Sequence, residues 1–174
     1  KFALTGSSAR KLKRGGANLL AGRAFLNTLH PLTAQELGSK FELNHYLKWG
    51  GLPKIYSFSS ASASDADKQA YLKTYVHTYL KEEIVSEQIV RRLDPFRRFL
   101  EIAAQGNAEI LNYSNIAKDV GVDTKTVQSY YQILEDTLLG FHLAPYHKSI
   151  RKQQRQASKF YLFDLGVKHA LDNT

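Results

Sequence analysis

The spacing of hydrophobic residues predicts a chain that is mainly helical. Between residues 67 and 93, tyrosines and aliphatic side chains recur every three or four positions, as they do on the buried face of a helix. A second helix is predicted from Asp94, a suitable N-cap, through Pro95, whose missing N–H costs nothing in the first turn, to Gly106. Residues 57–67 are mostly small and polar and cannot bury enough apolar area to offset chain entropy. They are predicted to form a mobile loop.

Shorter signals precede these helices. Residues 2–5 are apolar and end in Thr-Gly-Ser-Ser, which indicates one buried strand that opens into a loop. Thr33 followed by Glu36 has the pattern of a capping box, in which each side chain accepts a hydrogen bond from the other residue's backbone amide. Residues 42–53 are predicted to form a helix that stops at a Gly-Gly pair, because Pro53 prevents its continuation.

Residues 112–138 have the pattern of two helices separated by a tight turn. Ser114 is predicted to cap the first helix, and Gly121 is predicted to adopt the left-handed conformation of the turn. Asp123 or Thr124 is predicted to cap the second helix, whose apolar residues at helical spacing place one face in the core. Its other side chains are candidates for contact with the major groove of DNA: Lys125, Thr126, Gln128, Ser129 and Gln132.

Two strands are predicted after this helix pair. Residues 141–146 and 159–164 alternate or run apolar, and the basic segment between them would form the tip of a hairpin. A hairpin with a cationic tip directly after such a helix is typical of a winged helix, whose tip contacts backbone phosphates. The candidate phosphate contacts are Lys148, Arg151, Lys152, Arg155 and Lys159. Two other interpretations stay open, because winged helices also dock proteins and a helix pair of this kind can be plain core.

The charge distribution favours a polyanionic partner. The chain of 174 residues has a net charge of +8, and lysine and arginine displace counterions from phosphates. The cations are clustered, because residues 1–30 contain six and residues 147–159 contain five, and neither stretch contains an acid. Clustering suggests phosphate contacts more than a solvating coat does. Solubility alone is the alternative explanation of the surplus.

Composition argues against several other functions. Cysteine is absent, which excludes a disulfide framework, a thiol nucleophile and a thiolate metal site. The six histidines lack the spacing of metal ligands. No apolar run approaches the roughly 20 residues that a membrane-spanning helix needs, and no signal peptide is visible. We therefore expect a cytoplasmic protein with no membrane partner and no metal site in this chain.

Several short stretches, taken in order, resemble the bacterial and archaeal family of AAA-type ATPases that carry a C-terminal domain labelled DUF4143. The stretches are LTGSSARKL, NLLAGRA, HPLTAQEL, YLKWGGLP, YLKEEI, LNYSNIAKDVGVDTKTVQSYYQILEDTLLGFHLAPY and KFYLFDLGV. The resemblance implies that Thr5, Ser7 and Ser8 belong to the sensor-1 region beside the nucleotide γ-phosphate. It also implies that Arg23 acts as an arginine finger, which neutralises charge on the transferring phosphoryl group. The alternative is that Arg23 is a surface residue that pairs with an acid or faces a phosphate.

The resemblance implies three parts and a fold that is mainly α. Residues 1–25 would be the end of the ATPase core with one residual strand, residues 26–93 a helical AAA-type lid, and residues 94–174 a winged helix-turn-helix with a small β-hairpin. The chain begins at Lys1, contains no methionine and has no phosphate-binding G-x-x-x-x-G-K-[ST] loop. We interpret it as a fragment that is not catalytic by itself. ATP and Mg²⁺ would be bound by the intact protein.

Three hypotheses for the function follow. The first is a fragment of an AAA-type ATPase whose winged helix binds double-stranded DNA or a partner protein. The second is a regulator that binds DNA without nucleotide chemistry. The third is a docking scaffold whose winged helix binds another protein or a second copy of the chain. A steep fall of DNA affinity with salt would separate the second hypothesis from the third.

Overall fold

The computed structural model describes residues 25, 27–58, 64–79, 90, 93–149, 151 and 156–172. Its helices are α1 (Ala34–Leu37), α2 (Leu43–Trp49), α3 (Pro53–Ser57), α4 (Asp65–Tyr79), α5 (Leu93–Gln105), α6 (Tyr113–Val120), α7 (Thr124–Asp136) and α8 (Leu165–Asp172), and its strands are β1 (Gly140–Leu143) and β2 (Lys159–Leu162). A short 3-10 helix, Gly38–Lys40, follows α1. The described part of the chain is therefore mainly helical with a small antiparallel sheet, as predicted. The predicted strand at 2–5, the middle of the predicted loop at 59–63 and positions 80–89 and 91–92 of the predicted long helix lie outside the described residues. Val90, within that predicted helix, is described and is not helical.

Short-range hydrogen bonds fix the ends of the N-terminal helices. The capping box before α1 is present, because the Thr33 N–H donates to Glu36 Oε2 at 2.8 Å and the Glu36 N–H donates to Thr33 Oγ1 at 3.3 Å. The carboxylate of Glu42 accepts the first free amides of α2. This helix ends at Gly50, whose φ of 76° lies in the left-handed region that favours glycine. The Gly-Gly stop predicted from the sequence is thus confirmed.

The loop predicted at residues 57–67 is shorter than expected at both ends. Ser57 is the last residue of α3, and α4 already begins at Asp65. Ser64 and Asp67 form a reciprocal pair, since the Ser64 N–H donates to Asp67 Oδ2 at 2.7 Å and the Asp67 N–H donates to Ser64 Oγ at 3.3 Å. This pair satisfies backbone amides at the start of α4, and the helix therefore begins two residues earlier than predicted.

The predicted helix from Asp94 to Gly106 is observed as α5, with its start moved by one residue. The helix begins at Leu93, so Asp94 lies inside the first turn and not at the cap. The first four amides of a helix have no partner within it, and Pro95 therefore fits this turn. The buried stripe consists of Phe96, Phe99, Leu100 and Ala103, whose spacing is that of one face of a helix.

Helices α6 and α7 are the predicted helix pair, with one cap corrected. The side chain of Asn112 caps α6, and Ser114 lies in its first turn. The structure places Gly121 at φ 76° and ψ 40°, the left-handed conformation expected of the tight turn. Asp123 caps α7 and accepts the Thr126 N–H at 2.9 Å, which resolves the choice between Asp123 and Thr124.

The two strands pair in antiparallel register directly after α7. Phe141 lies opposite Tyr161, and Leu143 lies opposite Lys159. Ile110, between α5 and α6, forms an antiparallel bridge with Lys159 on the other side of β2. The order across this small sheet is therefore Ile110, β2 and β1.

Both strands are shorter than the ranges 141–146 and 159–164 that the sequence predicted. Pro145 follows β1 and has no N–H for a ladder hydrogen bond. Asp164 follows β2 and caps α8, because its Oδ1 atom accepts the Val167 N–H at 3.0 Å. Asp164 is thus the N-cap of α8 and lies just beyond the end of β2.

One hydrophobic core joins helices from both sides of residue 93. Helix α8 packs against α2, α4 and α5. Tyr131 of α7 is buried in an aromatic cluster, with its ring 4.8 Å from the rings of Phe99 and Phe160. Burial raises the pKa of the Tyr131 phenol far above its ordinary value. Tyr130 and Tyr131 are both core residues.

Candidate nucleic-acid interface

Helix α7 separates an apolar face from a polar one. Val127, Tyr130, Tyr131 and Leu134 are buried in the core. Four of the five predicted groove contacts are exposed on the other side of the helix: Lys125, Gln128, Ser129 and Gln132. The core face holds the helix in place, and the exposed row is available to a partner.

Local hydrogen bonds distinguish these polar side chains from one another. The Thr126 hydroxyl donates to Asp123 Oδ2, so this half-buried residue belongs to the helix cap. The same bond, with the Thr126 N–H, lowers the pKa of the Asp123 carboxyl. The Ser129 hydroxyl donates to the Lys125 carbonyl at 3.0 Å, and the Gln132 amide donates to Asp136 at 3.1 Å. Lys125 and the neighbouring Gln128 extend from the helix into solvent.

The hairpin after α7 supplies the cations predicted for the wing. Lys148, Arg151 and Lys159 are exposed, and the predicted contacts Lys152 and Arg155 lie outside the described residues. Residues 94–174 contain ten lysines and arginines and nine acids, so their net charge is close to neutral. Residues 137–163, in contrast, contain five of these cations and no acid. The positive charge of this part of the chain is therefore concentrated on the hairpin.

A hydrogen-bonded set of side chains attaches the hairpin to the helix pair. Glu135 Oε1, at the end of α7, accepts the backbone N–H of His142 at 2.9 Å and lies 2.9 Å from His142 Nδ1. The other ring nitrogen of His142 lies 3.1 Å from the hydroxyl of Tyr113, the first residue of α6. Burial raises the pKa of Tyr113, which keeps its hydroxyl protonated. The three side chains connect β1, α6 and α7.

We expect Tyr113→Phe to lower the free energy of unfolding by about 1 kcal/mol, because it leaves a half-buried ring nitrogen without its partner. Chemical denaturation in urea would measure the loss. Tyr146→Phe is the matched control, since Tyr146 is exposed and the same hydroxyl is removed. Equal stabilities of the two variants would contradict the role given to Tyr113.

A buried carboxylate connects the C-terminal helix to the N-terminal helices. Asp164 Oδ2 accepts the Gly51 N–H at 2.7 Å, in addition to the bond between Oδ1 and the Val167 N–H. Burial raises the pKa of this carboxyl, and the backbone hydrogen bonds oppose that shift. A Cβ atom at Gly50 would overlap the Asp164 carboxylate, and one at Gly166 would overlap the Trp49 carbonyl. These contacts hold the start of α8 against the end of α2.

Sequence reasoning missed both of these arrangements. The cap at Asp164 is a local signal, because the Val167 N–H that donates to it lies three residues away, but the bond from the Gly51 N–H spans 113 positions. His142 stood alone in the sequence, with no partner at helical spacing. The alternation along β1 pointed the other way, because Phe141 and Leu143 are apolar but exposed, whereas the polar His142 between them is half-buried.

The remaining predicted site residues are those of the sensor-1 region and the arginine finger. Thr5, Ser7, Ser8 and Arg23 lie outside the described residues. Among residues that are described, no group of histidines and acids could hold a metal ion. No helix within the described ranges is long and apolar enough to cross a membrane.

The fold and the interface define a mainly helical protein with a small antiparallel sheet. A family model described as "Domain of unknown function (DUF8612)" matches residues 40–174, and the chain belongs to this family. Two curated relatives are the uncharacterized proteins Mb2031c of Mycobacterium bovis and Rv2008c of Mycobacterium tuberculosis, each 28% identical over 171 residues. These matches cover 98% of this chain but only 38% of each relative. No solved structure matches the chain.

The resemblance to AAA-type ATPases with a DUF4143 domain was wrong. The family model that matches is DUF8612, the matched relatives are uncharacterized, and no match to an AAA or DUF4143 family was found. The stretches behind the resemblance are short and rich in common residues such as glycine, leucine and serine, which recur in unrelated helical proteins. The expectations of ATP and Mg²⁺ depended on this resemblance, and no observation on the described residues supports them.

Proposed function

We propose that the C-terminal part of the chain, from α5 to α8, is a winged helix that binds double-stranded DNA. The observation that carries the proposal is the exposed polar row of α7 beside a hairpin that contains no acid. A helix with a buried apolar face and an exposed polar face fits the major groove, and cations beside it fit the phosphates.

The order of the elements supports the winged-helix assignment. Helix α5 is followed by the strand residue Ile110, the helix pair α6 and α7, and the hairpin β1–β2. The second helix of such a pair enters the major groove with its N-terminal residues against the bases. In this chain that helix is α7, and its first exposed residues are Lys125 and Gln128.

The exposed side chains suggest how the contacts are divided. Gln128 presents an amide, which pairs with the edge of adenine, and Lys125 presents an ammonium group, which donates to the acceptors of guanine. Lys148 and Arg151 extend from the hairpin and would contact phosphates. Thr126 is held by the cap at Asp123 and contributes chiefly to the position of the helix.

Salt dependence tests the proposal directly. If about four phosphates are neutralised, the logarithm of the affinity for a short duplex should fall with the logarithm of the salt concentration with a slope of about −3.6. This slope corresponds to a loss of roughly 100-fold between about 50 and 200 mM salt. Fluorescence anisotropy of a labelled duplex would measure it. A flat salt dependence, or no binding at about 50 mM salt, would contradict the proposal.

A protein-docking scaffold is the second candidate function. It is favoured by Leu43 and Leu47, which are exposed four residues apart on one side of α2. The absence of duplex binding at low salt, together with self-association that Leu43→Ser and Leu47→Ser abolish in sedimentation velocity, would favour this candidate over DNA binding.

A further inference from the structure

We propose that the solvent-facing side of the small sheet binds single-stranded nucleic acid by stacking bases on its aromatic rings. This outer sheet face is defined by Ile110, Phe141, Leu143, Lys159 and Tyr161. It is separate from the exposed row of α7, and the inference goes beyond duplex binding because it does not depend on contacts made by that helix.

The strand register places these five side chains on one surface. Phe141 pairs with Tyr161, and Lys159 stands between Leu143 on β1 and Ile110 on its other side. The residues that alternate with them, Phe160 and Leu162 of β2, are buried in the core.

Large apolar side chains remain in contact with solvent on this face. Ile110 is 67% exposed, Phe141 is 52% exposed and Leu143 is 49% exposed. The rings of Phe141 and Tyr161 lie nearly parallel, with an angle of 14° between their planes and 5.7 Å between their centres. A continuous apolar patch of this kind is uncommon unless it meets a partner. The two rings therefore stack on each other, and Phe141, the exposed member of the pair, offers ring surface of the kind on which bases stack.

The charge around the outer sheet face favours an anionic partner. Lys159 lies within the face, and the next exposed aromatic residue along the chain, Tyr146, is followed by Lys148 and then Arg151. The whole hairpin, residues 137–163, lacks acids. A second copy of the chain packed on this face about a two-fold axis would bring two acid-free hairpins together, which like-charge repulsion opposes.

Single-stranded nucleic acid fits both the exposed aromatic surface and the positive charge of this face. A single strand offers base faces to the rings and phosphates to the lysines at the same time. A duplex keeps its bases stacked on one another, and it can therefore offer this face only phosphates. The outer sheet face should accordingly prefer a single strand, whereas α7 should prefer a duplex.

The test compares two probes on the intact chain by fluorescence anisotropy. One is a labelled oligothymidylate of about 12 nucleotides, and the other is a labelled duplex. The double variant Phe141→Leu and Tyr161→Leu removes both rings but keeps the apolar bulk, so the fold should be retained. Unfolding in urea would verify this. We expect its affinity for the oligothymidylate to fall about tenfold for each ring removed, while its affinity for the duplex stays unchanged.

A matched pair of substitutions separates this proposal from duplex binding. Lys125→Ala with Gln128→Ala should weaken the duplex complex and leave the oligothymidylate complex unchanged. Each double variant should weaken the binding of only one probe. The proposal of duplex binding and the proposal of single-strand binding can therefore fail independently.

Three results would overturn the assignment of the outer sheet face. The first is no binding of the oligothymidylate by the wild-type chain at about 50 mM salt. The second is equal affinity of the double leucine variant for this probe. The third is concentration-dependent self-association, seen in sedimentation velocity, that Phe141→Ser abolishes, because it would identify this face as a protein interface.

Discussion

Asp164→Ala is expected to lower the free energy of unfolding by about 3 kcal/mol, the larger of two effects on stability that the structure predicts. The substitution leaves the Gly51 N–H, which is buried between α2 and α3, without an acceptor. It also removes the cap of α8, whose Val167 N–H donates to the same carboxylate. Each buried donor without a partner incurs the cost of desolvation, and the two losses occur in one substitution.

Gly50→Ala should also lower the free energy of unfolding, because it disturbs the contact between the end of α2 and the Asp164 carboxylate. Gly50 adopts a φ of 76°, which strains any residue with a side chain, and the added methyl group would overlap the Asp164 carboxylate. Strain of this kind costs about 1–3 kcal/mol before the overlap is relieved by movement of α8.

The matched control is Asp123→Ala, which removes another aspartate that caps a helix. Asp123 is exposed, so water can replace the lost hydrogen bond, and the loss of stability should be clearly smaller. Urea denaturation of the three variants would compare them. Equal losses for Asp164→Ala and Asp123→Ala would show that the bond to Gly51 contributes nothing beyond capping.

Reversing two charges on the hairpin is expected to weaken duplex binding by about 100-fold at about 100 mM salt. In the double variant Lys148→Glu and Arg151→Glu, repulsion would replace the two proposed phosphate contacts, and electrostatic contacts dominate affinity for DNA. Both side chains are exposed, so the fold should be unaffected. Anisotropy of a labelled duplex, measured at several salt concentrations, would also show a reduced salt slope.

Lys40→Glu with Lys73→Glu is the control for this change. Lys40 and Lys73 are exposed outside the hairpin and the helix pair, and the control alters the net charge by the same amount. It should reduce affinity only slightly through long-range attraction. Equal losses in the two double variants would indicate that net charge, and not the wing, determines binding.

The helix pair could be predicted closely because its signals are local. The turn needs a residue that tolerates a positive φ, which Gly121 supplies, and the second helix needs an oxygen three residues before a free amide, which Asp123 supplies. The error at the first cap also arises from local signals. Asn112 and Ser114 are both good caps, and only the observed helix start distinguishes them.

The family resemblance failed for a different physical reason. Its stretches report helix ends, turns and apolar strands, and many unrelated domains need glycine, leucine and serine at such places. The match to the DUF8612 family uses residues 40–174 together and overrides it. The roles predicted for Thr5, Ser7, Ser8 and Arg23 depended on the resemblance and stay untested.

By itself, the sequence determined the elements of this protein: the helix pair and its turn, the buried stripe of α5 and the acid-free hairpin. Each depends on residues within a few positions of one another, whose geometry is set by the helix or strand period. Tertiary structure alone decided that Asp164 meets Gly51, that His142 lies between Glu135 and Tyr113, and that Phe141 and Tyr161 form a stacked pair. These contacts join distant segments, and chain packing brings such segments together in ways that periodicity does not encode.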